Sequence, residues 1–433
     1  MPTVTRLSAS CTVPRVTAWL AASLAACLAA CAPAPSRLPM PAESYPHEHE
    51  SIGTVRQSYD GALAPELAVQ TFRNIHRLFP SRTIARGASP RPLPAAARPL
   101  GAVAFSVSGA TRTLDDYVRL NRVAGLLVLV DGAVALERYE FGNTPRTRWM
   151  SMSIAKSVTS TLVGAAVRDG HIRSLDDSVT RYAPALRGSA YEGVRVRDVL
   201  MMASGVRWDE TYTDPASDRR RLLEAQIAQR PGGVLAVMAK LPKAAEPGTR
   251  HNYSTGETQV AGEIVRGAVG RSLAAYLSER IWGPAGMEAD ATWWLDSPDG
   301  MEIGGSGISA TLRDYARLGQ FVLEDGVAGG RRVLPEGWVR QATRPAALRS
   351  GSVIPYGYLW WTATTPGGMR DGAFSAEGIH GQSIYINPAA RVVIVTWGAQ
   401  LRPTGGAVID DDVVRDAIVQ RLRADGLAPA AAR

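Results

Sequence analysis

Lysine is almost missing from this chain: of its 48 Lys and Arg residues only Lys156, Lys240 and Lys243 are lysines. A lysine kept where arginine is the rule asks for a reason. Cysteine is equally confined, since Cys11, Cys27 and Cys31 all lie at the amino terminus. The rest of the chain therefore has no disulfide, no thiolate nucleophile and no Cys-based metal site. No G-x-S-x-G occurs, which excludes the nucleophile elbow of an α/β-hydrolase. No internal repeat occurs, and beyond the leader no apolar run is long enough to span a bilayer. The formal charge is +8, but the arginines are scattered among Asp and Glu, as in RVRDV and DRRRLLEA, so nucleic-acid binding is disfavoured.

What is present begins with a leader. Arg6 and Arg15 precede the apolar run AWLAASLAACLAAC, too short for a comfortable span, which reads as a signal peptide over 1–30. Leu28-Ala29-Ala30-Cys31 resembles a bacterial lipobox, with Cys31 as the lipidated first residue of the mature chain; Cys27 offers a competing register. The following APAPSRLPMPAES has the composition of a lipoprotein tether, here placed at 31–60. By resemblance, Ala32 points to the periplasmic face of the outer membrane. Ordinary cleavage and periplasmic release is the alternative.

Residues 61–120 read as an N-terminal wrap, with one helix around LAVQTFRNIHRLF and a low-regularity SPRPLPAAARPLG. The HEHE at 47–50 has metal-ligand residue types, but its place in a polar tether favours a solvated segment. Regular structure is expected to start at GLLVLVDGAVALERYEFG, two β-rich runs joined by Asp131-Gly132, a strong hairpin signal. A buried helix follows from about Ser153 to Gly170. From 171 to 300 the pattern is mainly helical. Strand signal returns in YGYLWWTAT, HGQSIYINP and ARVVIVTWG, with a turn at Asn387-Pro388, and VIDDDVVRDAIVQRLRADG is a final helix. An α/β (α+β) fold follows, in which a domain over 120–425 builds one antiparallel sheet from both ends and inserts a helical region between them.

The stretch MSMSIAKSVTS at 150–160 holds four serines and one lysine. Only Ser153 has that lysine, Lys156, three residues downstream, one helical turn away on the same face. A serine hydroxyl becomes nucleophilic when something takes its proton, and a lysine can do so when burial keeps it neutral. The helix N-terminus adds N–H donors where an oxyanion would form. A serine-rich helix start with a solvated lysine is the other reading of this spacing alone.

The surroundings decide between them. WMSMSIAKSVTSTLVGAAVRDGHIRSLDDSV and RDVLMMASGVRWDE resemble the nucleophile region of the penicillin-recognising serine hydrolases, which include class C β-lactamases, DD-peptidases and esterases. WDETYTDPASD and GIHGQSIYINP are similar to the 6-aminohexanoate-dimer hydrolase branch of that superfamily. The resemblance spans about 120–420 and implies a β-lactamase-like fold, with helices flanking the sheet. It implies Ser153 as nucleophile with Lys156 and Tyr253, the latter from HNYSTGET, sharing proton transfer. Thr255 stands where the family more often has Asn or Ser. The Lys-Thr-Gly of β-lactamases is absent, and Gly378-Ile379-His380-Gly381 occupies its region. The resemblance then gives the amides of Ser153 and Ile379 as the oxyanion hole, and Tyr212 as a residue closing over substrate. Gly378, Gly381 and His380 become candidate substrate contacts, with a structural role equally open for His380. Asp209, Glu210 and Asp214 could meet a cationic group, though a solvated loop is the safer reading. Trp293, Trp294, Trp360 and Trp361 could line a pocket or fill the core.

The implied activity is hydrolysis of an ester or linear amide through an acyl-enzyme, on a small-molecule substrate and with no metal or organic cofactor. A β-lactamase or DD-peptidase is the nearest alternative, weakened by the missing basic triplet. A lipid-anchored binding protein that has lost turnover is a third reading. Oligomeric state is not encoded in any motif.

Overall fold

The computed structural model describes residues 44–431. The leader, Cys31 and the first part of the expected tether, 31–43, lie outside them. The central element is a six-stranded antiparallel sheet, in the order Trp361–Thr362, Phe374–Gly378, Gln382–Asn387, Val392–Gly398, Val123–Val130, Ala133–Tyr139. Val123–Val130 reads VAGLLVLV and is buried along its whole length, as a strand covered on both faces must be. Its period of two sorts the core. Leu126, Val128 and Val130 pack with Tyr117, Val414 and Ile418 on one side, while Leu127 and Leu129 face the opposite core with Trp149, Val158 and Tyr315. The Asp131-Gly132 turn has φ of 49° and 78°, the left-handed pair a tight hairpin requires.

The helix Asp411–Ala424 lies on the first side of this sheet, and Ile154–Arg168 and Leu312–Leu323 on the second. Ile154–Arg168 packs in turn on Thr255–Val269, the longest helix of the inserted region. That region is mainly helical as expected, with helices at Val196–Leu200, Asp218–Ile227 and Gly233–Ala239. No described helix is long and apolar enough to cross a membrane.

Several expectations need correction. The helix expected around LAVQTFRNIHRLF is present at Pro65–Arg73, but regular structure before residue 120 is more extensive, with helices Val55–Asp60 and Leu114–Leu120 and strands Ser81–Ile84, Ala104–Val107 and Ala110–Thr113. Ser81–Ile84 opens a second antiparallel sheet with Ala291–Trp294, Ile308–Thr311 and Arg148–Met150. This sheet was not legible because each strand is only three or four residues long. Residues 45–60 are no tether. His47 is buried and bonds Thr147 Oγ1 at 2.9 Å, Glu50 pairs with buried Arg73, and Thr54 caps the helix Val55–Asp60. Of the four HEHE residues, His47 and Glu50 meet partners far along the chain, while Glu48 and His49 stay exposed. YGYLWWTAT contributes only Trp361–Thr362 as strand, while Tyr356, Tyr358, Leu359 and Trp360 are core residues on irregular backbone, with Leu359 at φ 60°.

Candidate active site

The strand Arg148–Met150 leads straight into the helix Ile154–Arg168, and the turn between them presents Ser153. Ser151 N donates to Ile308 O at 2.7 Å and Ser151 Oγ accepts from Ile308 N at 3.0 Å, which pins the turn to the second sheet. Met152 has φ 41°, an uncommon conformation for a non-glycine residue that sharpens the bend. Ser153 then takes the N-cap position and is 8% exposed.

One turn into the helix, Lys156 is fully buried. Its Nζ lies 2.8 Å from Ser153 Oγ, 2.9 Å from Thr255 Oγ1 and 3.2 Å from Gly305 O. Burial lowers its pKa from 10.5 to about 7, with Glu210 opposing the shift and Arg219 adding to it. Near neutral pH a large fraction is therefore free amine. A neutral amine has two N–H groups and one lone pair, and the three neighbours match that inventory. Thr255 Oγ1 and Gly305 O take the hydrogens, which leaves the lone pair for the Ser153 hydroxyl. Gly305 is required by this contact: a Cβ there would stand 2.4 Å from Thr258 Oγ1 and 3.3 Å from Lys156 Nζ.

Tyr253 arrives from the other side, just before Ser254 caps the helix Thr255–Val269. Its ring centroid is 5.4 Å from Lys156 Nζ, and its phenol interacts with Ser153. Burial raises its pKa, so the phenol stays protonated and has a proton to give. Trp361 stacks on it at 5.3 Å and 25°. Of the four tryptophans considered above, this one alone reaches the site. Trp293, Trp294 and Trp360 are core.

Sequence reasoning undervalued Glu210. Its carboxylate accepts from Thr255 N at 2.8 Å, from Thr255 Oγ1 and from Trp208 Nε1. Ser153, Lys156, Thr255 and Glu210 thus form one chain of hydrogen bonds, and the Thr255 hydroxyl links the base to a carboxylate. The signal available was the Trp-Asp-Glu triplet immediately before the Tyr212 loop. Asp209 and Asp214 instead fold back on their own loop, to Thr211 and to Ala216 N. Tyr212 is half-buried, its ring 6.1 Å from that of Tyr59 and its carbonyl held by Arg220.

The strand Phe374–Gly378 ends against the turn that carries Ser153. A Cβ on Gly378 would lie 2.6 Å from Ser151 O and 2.9 Å from Ser153 N, so glycine lets the two backbones touch. Ile379 follows directly. His380, by contrast, is placed in the core and not toward a substrate. His380 is 0% exposed, with Nδ1 2.8 Å from Gln400 O, Nε2 3.3 Å from Ser58 Oγ and its ring 4.8 Å from Phe72. Burial lowers its pKa to about 4, so it is a neutral pin between the strand and the N-terminal helices. Gly381, at φ 87°, makes the turn into Gln382–Asn387. Ser157 bonds Leu359 O at 2.6 Å and belongs to the core with Ser151 and Ser160.

The Beta-lactamase family profile matches residues 111–418. The chain belongs to the β-lactamase family. This β-lactamase-family protein is 31% identical over 371 residues to the 6-aminohexanoate-dimer hydrolase of Paenarthrobacter ureafaciens, covering 80% of the chain and 91% of the relative. It is 27% identical over 262 residues to a D-aminopeptidase of Brucella anthropi, where it spans about half the relative's length, 47%, and 53% of its own. Its fold matches a structure from Bacillus anthracis provisionally named a 6-aminohexanoate-dimer hydrolase, with a TM-score of 0.72 at 23% identity over 83% of this chain and 95% of that one. The protein is thus a β-lactamase-fold hydrolase related to 6-aminohexanoate-dimer hydrolase and D-aminopeptidase.

Proposed function

We propose that this protein is a serine hydrolase that cleaves an ester or a linear amide through an acyl-enzyme. The observation that carries the reading is the 2.8 Å contact between Ser153 Oγ and a buried lysine whose pKa is depressed to about 7. Ser153 Oγ attacks the substrate carbonyl carbon while its proton passes to Lys156 Nζ. The amides of Ser153 and Ile379 take the oxyanion, with Gly378 keeping the approach open. Collapse of the tetrahedral intermediate expels the leaving alkoxide or amine, which takes a proton from Tyr253 Oη; Lys156 reprotonates the phenolate. Water then attacks the acyl-enzyme by the reverse proton route and frees the acid. Tyr212 borders the leaving side, and Thr255 and Glu210 orient the lysine. The named activities of the relatives, on a 6-aminohexanoate dimer and on D-amino peptides, support an amide as the bond cleaved.

The test is fluorophosphonate labelling of the protein beside Ser153→Ala, followed by a panel of p-nitrophenyl esters, a linear amide dimer and a chromogenic cephalosporin. Labelling at Ser153 with turnover of esters or the dimer is expected. Turnover of the cephalosporin alone would make it a β-lactamase, and an unlabelled chain would make it a binding protein. We further propose export as a lipoprotein acylated at Cys31, on the strength of the lipobox-like sequence. Incorporation of radiolabelled palmitate that survives Cys27→Ser and disappears in Cys31→Ser is the expected result.

A further inference from the structure

Five arginines are buried among the described residues: Arg73, Arg219, Arg220, Arg317 and Arg415. Four have carboxylate partners, Arg73 with Glu50, Arg220 with Asp60, Arg317 with Glu288 and Asp314, and Arg415 with Glu377 and Asp412. Arg219 has none among the described residues. It is 3% exposed; Nη2 donates to the Tyr59 hydroxyl, Cζ sits 4.6 Å over the Tyr59 ring, and Nε and Nη1 are buried with no partner. Tyr59 does not neutralise it, because burial keeps that phenol protonated. Its backbone position adds a penalty, since Arg219 is in the first turn of the helix Asp218–Ile227, whose dipole end is positive. A buried cation without a counter-ion is strongly unfavourable, and a protein retains one where a ligand supplies the anion.

The surroundings of this cation are those of the reaction centre. Arg219 N donates to Asp209 O at 3.0 Å, beside Glu210, and the Tyr59 ring under the guanidinium lies 6.1 Å from that of Tyr212. Its charge acts on Lys156, Tyr212 and Tyr253. Glu210 acts on the same groups but forms no ion pair with Arg219; its oxygens accept from Thr255 and Trp208.

We propose that Arg219 is the specificity residue of this site and takes a carboxylate carried by the substrate through the guanidinium hydrogens that the fold leaves unpaired. The inference rests on the serine-hydrolase reading and narrows it to esters or linear amides with an anionic end. It also supplies the cation that a chain without Lys-Thr-Gly otherwise lacks for that task.

Two substrate pairs test it. Mono-p-nitrophenyl adipate against p-nitrophenyl hexanoate puts the carboxylate on the acyl side, and 4-butyryloxybenzoate against its methyl ester puts it on the leaving side. With rates corrected for uncatalysed hydrolysis, kcat/KM for the acid is expected to exceed that for the neutral partner by about tenfold or more in one pair, as a charge-assisted contact provides. The ratio is expected to fall to about one in Arg219→Gln and to be partly kept in Arg219→Lys. Because each ratio is taken within one preparation, loss of folded enzyme cancels. Arg219→Met serves in place of Arg219→Gln should the latter not fold. No preference for either acid in the wild type, or a preference that survives these substitutions, overturns the proposal. Failure of all four esters together with an unlabelled Ser153 overturns the hydrolase reading instead.

Discussion

Replacing the base should make this protein more stable and inactive at once. Lys156 is 2% exposed and its pKa is depressed from 10.5 to about 7. At about 1.4 kcal/mol per tenfold, that displacement is a penalty on the charged form of roughly 5 kcal/mol. The sign follows from proton counting. Between about 7 and 10.5 the unfolded chain binds more protons at this residue than the folded one, so stability rises with pH across that window. Below the window the penalty is complete, and above it the penalty is gone. Lys156→Met removes it but also removes three hydrogen bonds, to Ser153, Thr255 and Gly305, each worth about 1 kcal/mol. A net gain of about 2 kcal/mol at pH 6 remains, a rise in Tm of a few degrees that falls to nothing at about pH 8.5 and reverses sign by about pH 10, where the penalty has gone and the lost hydrogen bonds have not been replaced. Thermal melts of both proteins from pH 6 to 10, beside turnover of p-nitrophenyl hexanoate, measure it. A variant that melts lower than the wild type at pH 6, or a difference that does not change with pH, would refute the reading of Lys156 as a strained neutral base.

The other expectations are shorter. Kinetics on a neutral ester should show kcat/KM rising with pH through about 7, as Lys156 loses its proton, and Glu210→Gln should move that limb to lower pH because the carboxylate holds the lysine pKa up. A limb that moves upward in Glu210→Gln would sink the assignment. Tyr253→Phe should cost about a hundredfold or more in kcat for amides, read by steady-state assay, since leaving-group protonation is lost. Gly378→Ala should slow fluorophosphonate labelling by about a hundredfold or more, because the new Cβ would press on the backbone at Ser151 O and Ser153 N, which cannot yield as a side chain can. His380→Phe should lose about 1–3 kcal/mol in urea denaturation, as Gln400 O and Ser58 Oγ are left unpaired in the core.

Parts of this molecule could be read from the chain because the controlling physics is local. The Asp131-Gly132 hairpin, the buried helix after Ser153 and the amphipathic helix Asp411–Ala424 are each set by turn chemistry or periodicity within twenty residues. Lys156 was legible for a different reason: composition made it conspicuous and spacing tied it to one serine. The second sheet was not legible, because strands such as Arg148–Met150 gain their stability from partners more than a hundred residues away. The same holds for His47 and His380, whose letters say polar while their neighbours, Thr147, Ser58 and Gln400, make them interior.

Charge is where this limit matters most for function. From the sequence, Glu210 and Arg219 are two charges in a polar loop and the helix after it, indistinguishable from Asp209, Arg220 or Arg221. The fold separates them by what each is given. Asp209 closes its own turn, Arg220 meets Asp60 and Arg221 meets Asp218, so these charges are spent on holding the loop. Glu210 is tied through Thr255 to the lysine amine, and Arg219 is buried with no carboxylate paired to it among the described residues. A loop whose other charges close its own turns or pair within the fold, with one carboxylate tied to Lys156 and one guanidinium left without a carboxylate, is organised by its function. The carboxylate tunes the base, and the guanidinium waits for the substrate.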